Sequence, residues 1–179
     1  MARARGRNLV IDASVAGAAG DREATPSRAC TDFLEALRAL NHRVSVSTPL
    51  LQEWHRHQTR FAGTWLLSMY ARRRVDAVEV KEDTALRESL ETAAPRPRIA
   101  AALLKDAHLI EVALKSDRRI VALDDQARIH FGQAAQTVRV LLKICWVNPA
   151  GADEQAVKWL HADAPAEERR MLGYIPPKD

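Results

Sequence analysis

The chain has 179 residues, enough for one well-buried domain and too few for two of ordinary size, and its 47% apolar and 28% charged residues describe a globular protein, not a disordered one. The 27 Lys+Arg against 23 Asp+Glu leave a formal charge of +4, but 21 of those bases are Arg, the side chain better suited to phosphate, so nucleic-acid binding is permitted without being required. Cys30 and Cys145 stand far apart without CxxC or Cys/His spacing, which excludes a zinc module or disulfide scaffold, and no apolar run nears the roughly 18 residues of a membrane helix, so a cytoplasmic location is expected with no membrane partner.

Residues 1–7 read as a flexible basic leader carrying Arg3, Arg5 and Arg7. The charged Asp12 cuts the following apolar stretch too early for a secretion signal. Asn8 to Asp12 is a short apolar run of the kind buried on both faces of a sheet. Thr25-Pro26 marks a helix start, after which Cys30, Phe33, Leu34, Leu37 and Leu40 recur at helical spacing. Arg43 to Ser47 alternates as a strand. Thr48-Pro49 repeats the cap-proline signal, and Leu50 to Arg74 fits one long helix or two abutting ones.

Val75 to Val80 alternates again, as a third strand or an edge ribbon. Asp83 can cap a short helix through Leu90, which Pro95-Arg96-Pro97 ends. A longer helix follows from Arg98 to Lys115, then a buried-type strand, Ile120 to Leu123, ending in Asp124-Asp125. Gln133 to Leu142 has a helical pattern, and Ile144 to Val147 is a last strand stopped by Asn148-Pro149. Residues 150–179 turn polar and read as a C-terminal tail with one or two short helices. Strands separated by helices imply βαβ units, hence a three-layer α/β/α domain over residues 8–149 with a mostly parallel sheet of four to five strands.

Ligands of open α/β sheets bind beyond the carboxyl ends of the strands, where the strand order reverses. Asp12 and Asp124 follow apolar strands directly and fall at that edge, although a turn or helix-cap role explains either residue alone. Asp106 sits inside the stripe formed by Ile99, Ala102, Leu103, Ala107, Ile110, Ala113 and Leu114. A charge there is costly unless it is paired, with Arg128 for example, or bound to a metal. Glu53 lies early in the helix after the second strand, where a helix-dipole role is the plainer alternative. As a set, converging carboxylates without a His/Cys cluster suit a hard cation, Mg²⁺ or Mn²⁺.

The order of these blocks resembles the PIN-domain family. Asn8-Leu9-Val10-Ile11-Asp12-Ala13-Ser14 is similar to its opening strand, with an acid followed two residues later by Ser, Thr or Asn. Glu53 matches the second acid, Asp106 to Leu114 the third block, Val121-Ala122-Leu123-Asp124 the fourth, and Val147-Asn148-Pro149 the closing strand. The resemblance spans residues 8–149. It implies a metal-dependent ribonuclease with Asp12, Glu53, Asp106 and Asp124 as catalytic metal ligands and Ser14 in support. Asp125 serves either as a second acid at the fourth position or as a cap on the next helix. Many small members are VapC-type toxins, which implies an antitoxin partner.

Two features depart from the family pattern: Ala122 stands where Thr or Ser is usual, and the chain continues well past Pro149. Both motivate an alternative, a PIN-like scaffold that binds RNA or protein without cleaving. Arg56, Arg60, Arg118 and Arg119 are the candidate RNA contacts, the last two expected near the site edge. Arg72-Arg73-Arg74 reads as a solvated helix end, and His108, two residues after Asp106, is expected to point away from it. The stripe Leu50, Trp54, Phe61, Trp65 and Met69 reads as core, with a far end long enough to bury against a partner or a second copy, so a homodimer is expected.

Overall fold

The computed structural model describes residues 6–20 and 23–175; Arg3 and Arg5 of the expected leader lie outside them. The short apolar runs are strands, and those at the centre are buried on both faces. β1 (Asn8–Ile11) is flanked by β2 (Arg43–Val46) and β4 (Arg119–Val121), with β3 (Val75–Ala77) and β5 (Cys145–Val147) at the edges. All four pairings are parallel, Leu9 facing Val44 and Val10 facing Ile120 across β1. The order β3-β2-β1-β4-β5 runs outward to one side of β1 and then to the other, which puts the switch point between β1 and β4.

Helices fill both faces, giving the three-layer α/β/α architecture. On one side α1 (Ala13–Ala18), α2 (Thr25–Ala39), α3 (Thr48–His57) and α4 (Arg60–Ala71) pack together. On the other α5 (Thr84–Ala93), α6 (Pro97–Leu114) and α7 (Asp125–Ala134) do so, as right-handed crossovers in opposite directions require. Leu9, Val10, Phe33, Trp65, Ile110, Phe131 and Trp146 are among the side chains of one continuous core. Each large group removed from water there contributes roughly 2 kcal/mol.

Several boundaries differ from the sequence expectation for local reasons. The N-cap positions of α2 and α3 fall one residue early, at Ala24, which offers no side-chain cap, and at Ser47, whose hydroxyl accepts the Leu50 N–H, so the Thr-Pro pairs lie inside the first turn. The stretch from Leu50 to Arg74 is two helices: Thr59 breaks it and its hydroxyl caps α4 through the Ala62 N–H at 3.2 Å. Between β1 and α2 an unexpected short helix, α1, starts on Asp12 as its cap. The helix after β4 begins at Asp125, and the Gln133–Leu142 pattern is the end of α7 followed by a 3-10 turn, Arg139–Lys143. Trp65 and Met69, expected to leave an apolar end uncovered, are buried, while Leu67 and Tyr70 of α4 are exposed.

The segment after Pro149 packs into the body of the domain. It forms α8 (Ala156–His161), which lies against α2, and a 3-10 turn, Glu168–Arg170. Trp159, Leu160, Ala164 and Leu172 join the core, and His42 Nε2 meets the Leu160 carbonyl at 2.9 Å. Among the described residues no helix is long and apolar enough to cross a membrane.

Candidate functional site

At the carboxyl edge of the sheet, over the switch point, lies a cavity of about 450 Å³. Asp12, Glu53, Asp106 and Asp124 all line it, brought there by α1, α3, α6 and α7.

Asp12 follows β1 and is fixed from two directions. Its N–H donates to the Val121 carbonyl at 2.9 Å, continuing the β1–β4 pairing past the strand ends. Its carboxylate accepts the Ser14 N–H at 3.0 Å and also the Ser14 hydroxyl. The Ser14 oxygen in turn accepts the Leu123 N–H at 3.1 Å. Asp124 caps α7, accepting the Ala127 N–H at 2.8 Å. The cap role considered for Asp125 therefore belongs to Asp124; Asp125 instead accepts from the Asn148 amide at 3.0 Å.

Glu53 is placed by its neighbour. Trp54 Nε1 donates to the Ile11 carbonyl at 2.8 Å, so α3 is pinned to the end of β1, and the preceding carboxylate reaches the same edge. His108, expected to point away from Asp106, does not line this cavity; it is buried and lies against Glu53, with Nε2 3.3 Å from Glu53 Oε2. Its Nδ1 is 3.1 Å from the Lys105 carbonyl, which can only accept, so Nδ1 carries the proton in that contact. Spacing along one helix does not encode this inter-helix contact.

Asp106 is a perturbed acid. Burial pushes its carboxyl up to about 6; Lys105 and His108 oppose the shift, and the charges of Asp12 and Asp124 add to it. The Lys105 ammonium is 4.0 Å from Asp106 Oδ1, and Arg128, the partner considered for Asp106 from the sequence, pairs with Glu154 instead. One turn further along α6, Glu111 is held by Arg87 through Nε–Oε1 and Nη2–Oε2 contacts of 2.8 and 3.0 Å. Burial raises the Glu111 carboxyl, but the Arg87 and Asp83 hydrogen bonds outweigh it and hold the group below its usual range.

The four acids share the cavity without closing into one ligand cluster: among the described residues no group of three or more His, Cys, Asp or Glu side chains is arranged to hold a metal ion. The donor chemistry fits a hard divalent cation, since four carboxylates line the cavity against a single imidazole, His57, and no thiol.

The expected RNA-contacting arginines are placed elsewhere. Arg118 precedes β4 and Arg119 begins it, so both lie at the amino edge of the sheet, opposite the cavity. Arg119 is buried, its Nε donating to the Ala164 carbonyl at 2.6 Å, so it is a structural residue. Arg56 is exposed but does not line the cavity, and Arg60 lines a separate groove beside Phe61. Lys105 is the basic residue that the sequence reading passed over; its position directly before Asp106 was the available signal. A scan against protein-family models and a search of curated proteins find no match to the chain.

Proposed function

We propose that this chain is a PIN-like ribonuclease that hydrolyses RNA phosphodiester bonds with the help of Mg²⁺ or Mn²⁺. The observation that carries the reading is the convergence of Asp12, Glu53, Asp106 and Asp124, from four separate segments, on one cavity at the switch point of a parallel sheet. These four carboxylates would hold the cation. When bound, it supplies an activated water and offsets charge on the phosphate oxygens. The chain's own contribution is orientation. Ser14 and the Val121 carbonyl fix Asp12, Trp54 fixes the helix that bears Glu53, and the helix cap fixes Asp124. Burial raises the Asp106 carboxyl, so protons compete with a cation there, and metal affinity and cleavage should fall as the solution is made more acid. The cytoplasm is the expected setting, and an antitoxin or a second copy of the chain the expected protein partner.

A second reading has its own support. Ala122 supplies no hydroxyl to the cavity, and the acids do not close into a ligand cluster, which favours a scaffold that binds without cleaving. One experiment separates the two. Mn²⁺ is titrated by calorimetry into wild type and into the Asp12→Asn/Asp106→Asn double variant, while cleavage of a labelled single-stranded RNA is followed in parallel. The nuclease reading expects binding and cleavage in wild type and loss of both in a still-folded variant. A wild type that neither binds Mn²⁺ nor cleaves supports the scaffold.

A further inference from the structure

A cavity walled by four carboxylates repels the polyanion it is proposed to cut, so a positive group at its mouth has a clear electrostatic use. Among the described residues lining that cavity, Lys105 is the sole lysine or arginine. It stands on α6 directly before Asp106, with its side chain 76% exposed. Its contact with the largely buried Asp106 is long, at 4.0 Å, and leaves the exposed ammonium open to a further anion. Lys105 also lines a smaller adjoining cavity of about 230 Å³, which shares Glu53 with the larger one. Lys105 and Glu53 therefore line both hollows, which places the ammonium where the two adjoin.

We propose that Lys105 binds the phosphodiester group of RNA that enters the carboxylate cavity. The proposal rests on the ribonuclease reading and adds to it a substrate contact that none of the four sequence-nominated arginines provides. It carries a sign that a packing role does not. An ammonium beside a metal-binding carboxylate opposes a divalent cation and attracts a phosphate, so its removal should move the two affinities in opposite directions.

The test compares wild type, Lys105→Met, Lys105→Arg and, as a control, Arg72→Met, an exposed base that does not line the cavity. Mn²⁺ affinity is measured by calorimetry. Binding of a labelled single-stranded RNA is measured with Ca²⁺ in place of Mn²⁺ over a range of salt, and cleavage is measured with Mn²⁺. For Lys105→Met we expect Mn²⁺ affinity unchanged or tighter, and RNA affinity roughly 3–10-fold weaker with a salt slope shallower by about 0.7, the value of one phosphate contact on a single strand. Cleavage kcat/KM should fall about 10–100-fold, with Lys105→Arg recovering most of it and Arg72→Met near wild type. Wild-type RNA binding and cleavage in Lys105→Met, beside their loss in Asp106→Asn, overturns the lysine contact and leaves the nuclease reading standing. Parallel loss of Mn²⁺ and RNA affinity with a lowered Tm assigns Lys105 to local packing and also overturns the proposal. A wild type that neither binds Mn²⁺ nor cleaves removes the nuclease reading, and the lysine contact with it.

Discussion

Ser14 Oγ accepts the backbone N–H of Leu123 at 3.1 Å, a bond that crosses the switch point from the start of α1 to the loop after β4. The same hydroxyl donates to the Asp12 carboxylate, so one side chain ties the first acid to the segment that delivers Asp124. Ser14→Ala leaves the Leu123 N–H without its partner, at a cost of about 1–2 kcal/mol. It should also loosen Asp12 and weaken Mn²⁺ binding by about 10-fold, the usual effect of removing a group that orients a ligand. Calorimetry alongside thermal unfolding checks both, and unchanged Mn²⁺ affinity in a destabilised variant would confine Ser14 to the fold.

Asp106 carries a pH signature with a definite sign. Its carboxyl is raised from 3.8 to about 6, so between those values the native chain holds a proton that the unfolded chain has released. Stability must then fall as pH rises through that window, and above it the protein bears the full cost of a buried charge. Asp106→Asn, which mimics the protonated form, should stabilise the metal-free protein at pH 8 by about 1–3 kcal/mol, or several degrees in Tm. At pH 4 the gain should vanish. Thermal scans in a chelator at the two pH values measure the difference; equal shifts at both would show that the charge is not the cause.

The parallel sheet was legible because its strands are short apolar runs, such as Leu9-Val10-Ile11 and Ile120-Val121, that only a two-sided burial explains. Of the four acids that line the cavity, Asp12 and Asp124 were legible because they end strands, Asp106 because it interrupts an apolar helical stripe, and Glu53 from its place early in the helix after the second strand. Other features depend on contacts between distant segments. Helix α1 is only six residues long and begins where an Asp cap and a Ser hydroxyl meet, too short for a periodic signal. His108 meets Glu53 only because α6 crosses α3 at the carboxyl edge. Arg118 and Arg119 looked like loop bases near the site because sequence distance to Asp124 is short, yet a strand separates the two ends and sends them to opposite edges.

The Arg87–Glu111 pair is held within α5 and α6, and Glu111 has a side chain only 3% exposed. Arg87→Met strips a buried carboxylate of its main partner and should cost about 3–5 kcal/mol at neutral pH. Glu111 is held below its ordinary value of 4.5, so this stabilisation is present above that pH and disappears as pH falls through the native pKa. The gap between wild type and Arg87→Met should therefore narrow in acid. The double variant Arg87→Met/Glu111→Leu should recover most of the loss at neutral pH, since an apolar pair of similar size needs no ion partner. Urea unfolding of the three proteins across pH 3–7 tests this, and a gap that stays constant with pH would exclude the ion pair as its source.

Arg170 gives the C-terminal segment its hold on the domain. It is 1% exposed, sits over the Trp159 ring at 5.5 Å, pairs with Glu154, and donates from Nε to Glu167 at 2.7 Å. Glu154 also accepts from Arg128 Nη1 at 2.6 Å, so the segment is tied to α7, the helix that Asp124 caps. Arg170→Ala leaves Glu154 half-paired and removes the cation from the Trp159 face, which should cost about 3–5 kcal/mol. Arg170→Lys should recover only part, because an ammonium cannot reproduce the guanidinium's planar contacts. Ending the chain at Pro149 should be worse, since Trp159, Leu160 and Leu172 leave the core together. Hydrogen exchange locates the damage: in Arg170→Ala, amides of α7 and β5 should lose protection along with α8. Loss confined to α8 would mean that the segment is bound to the surface without supporting the site.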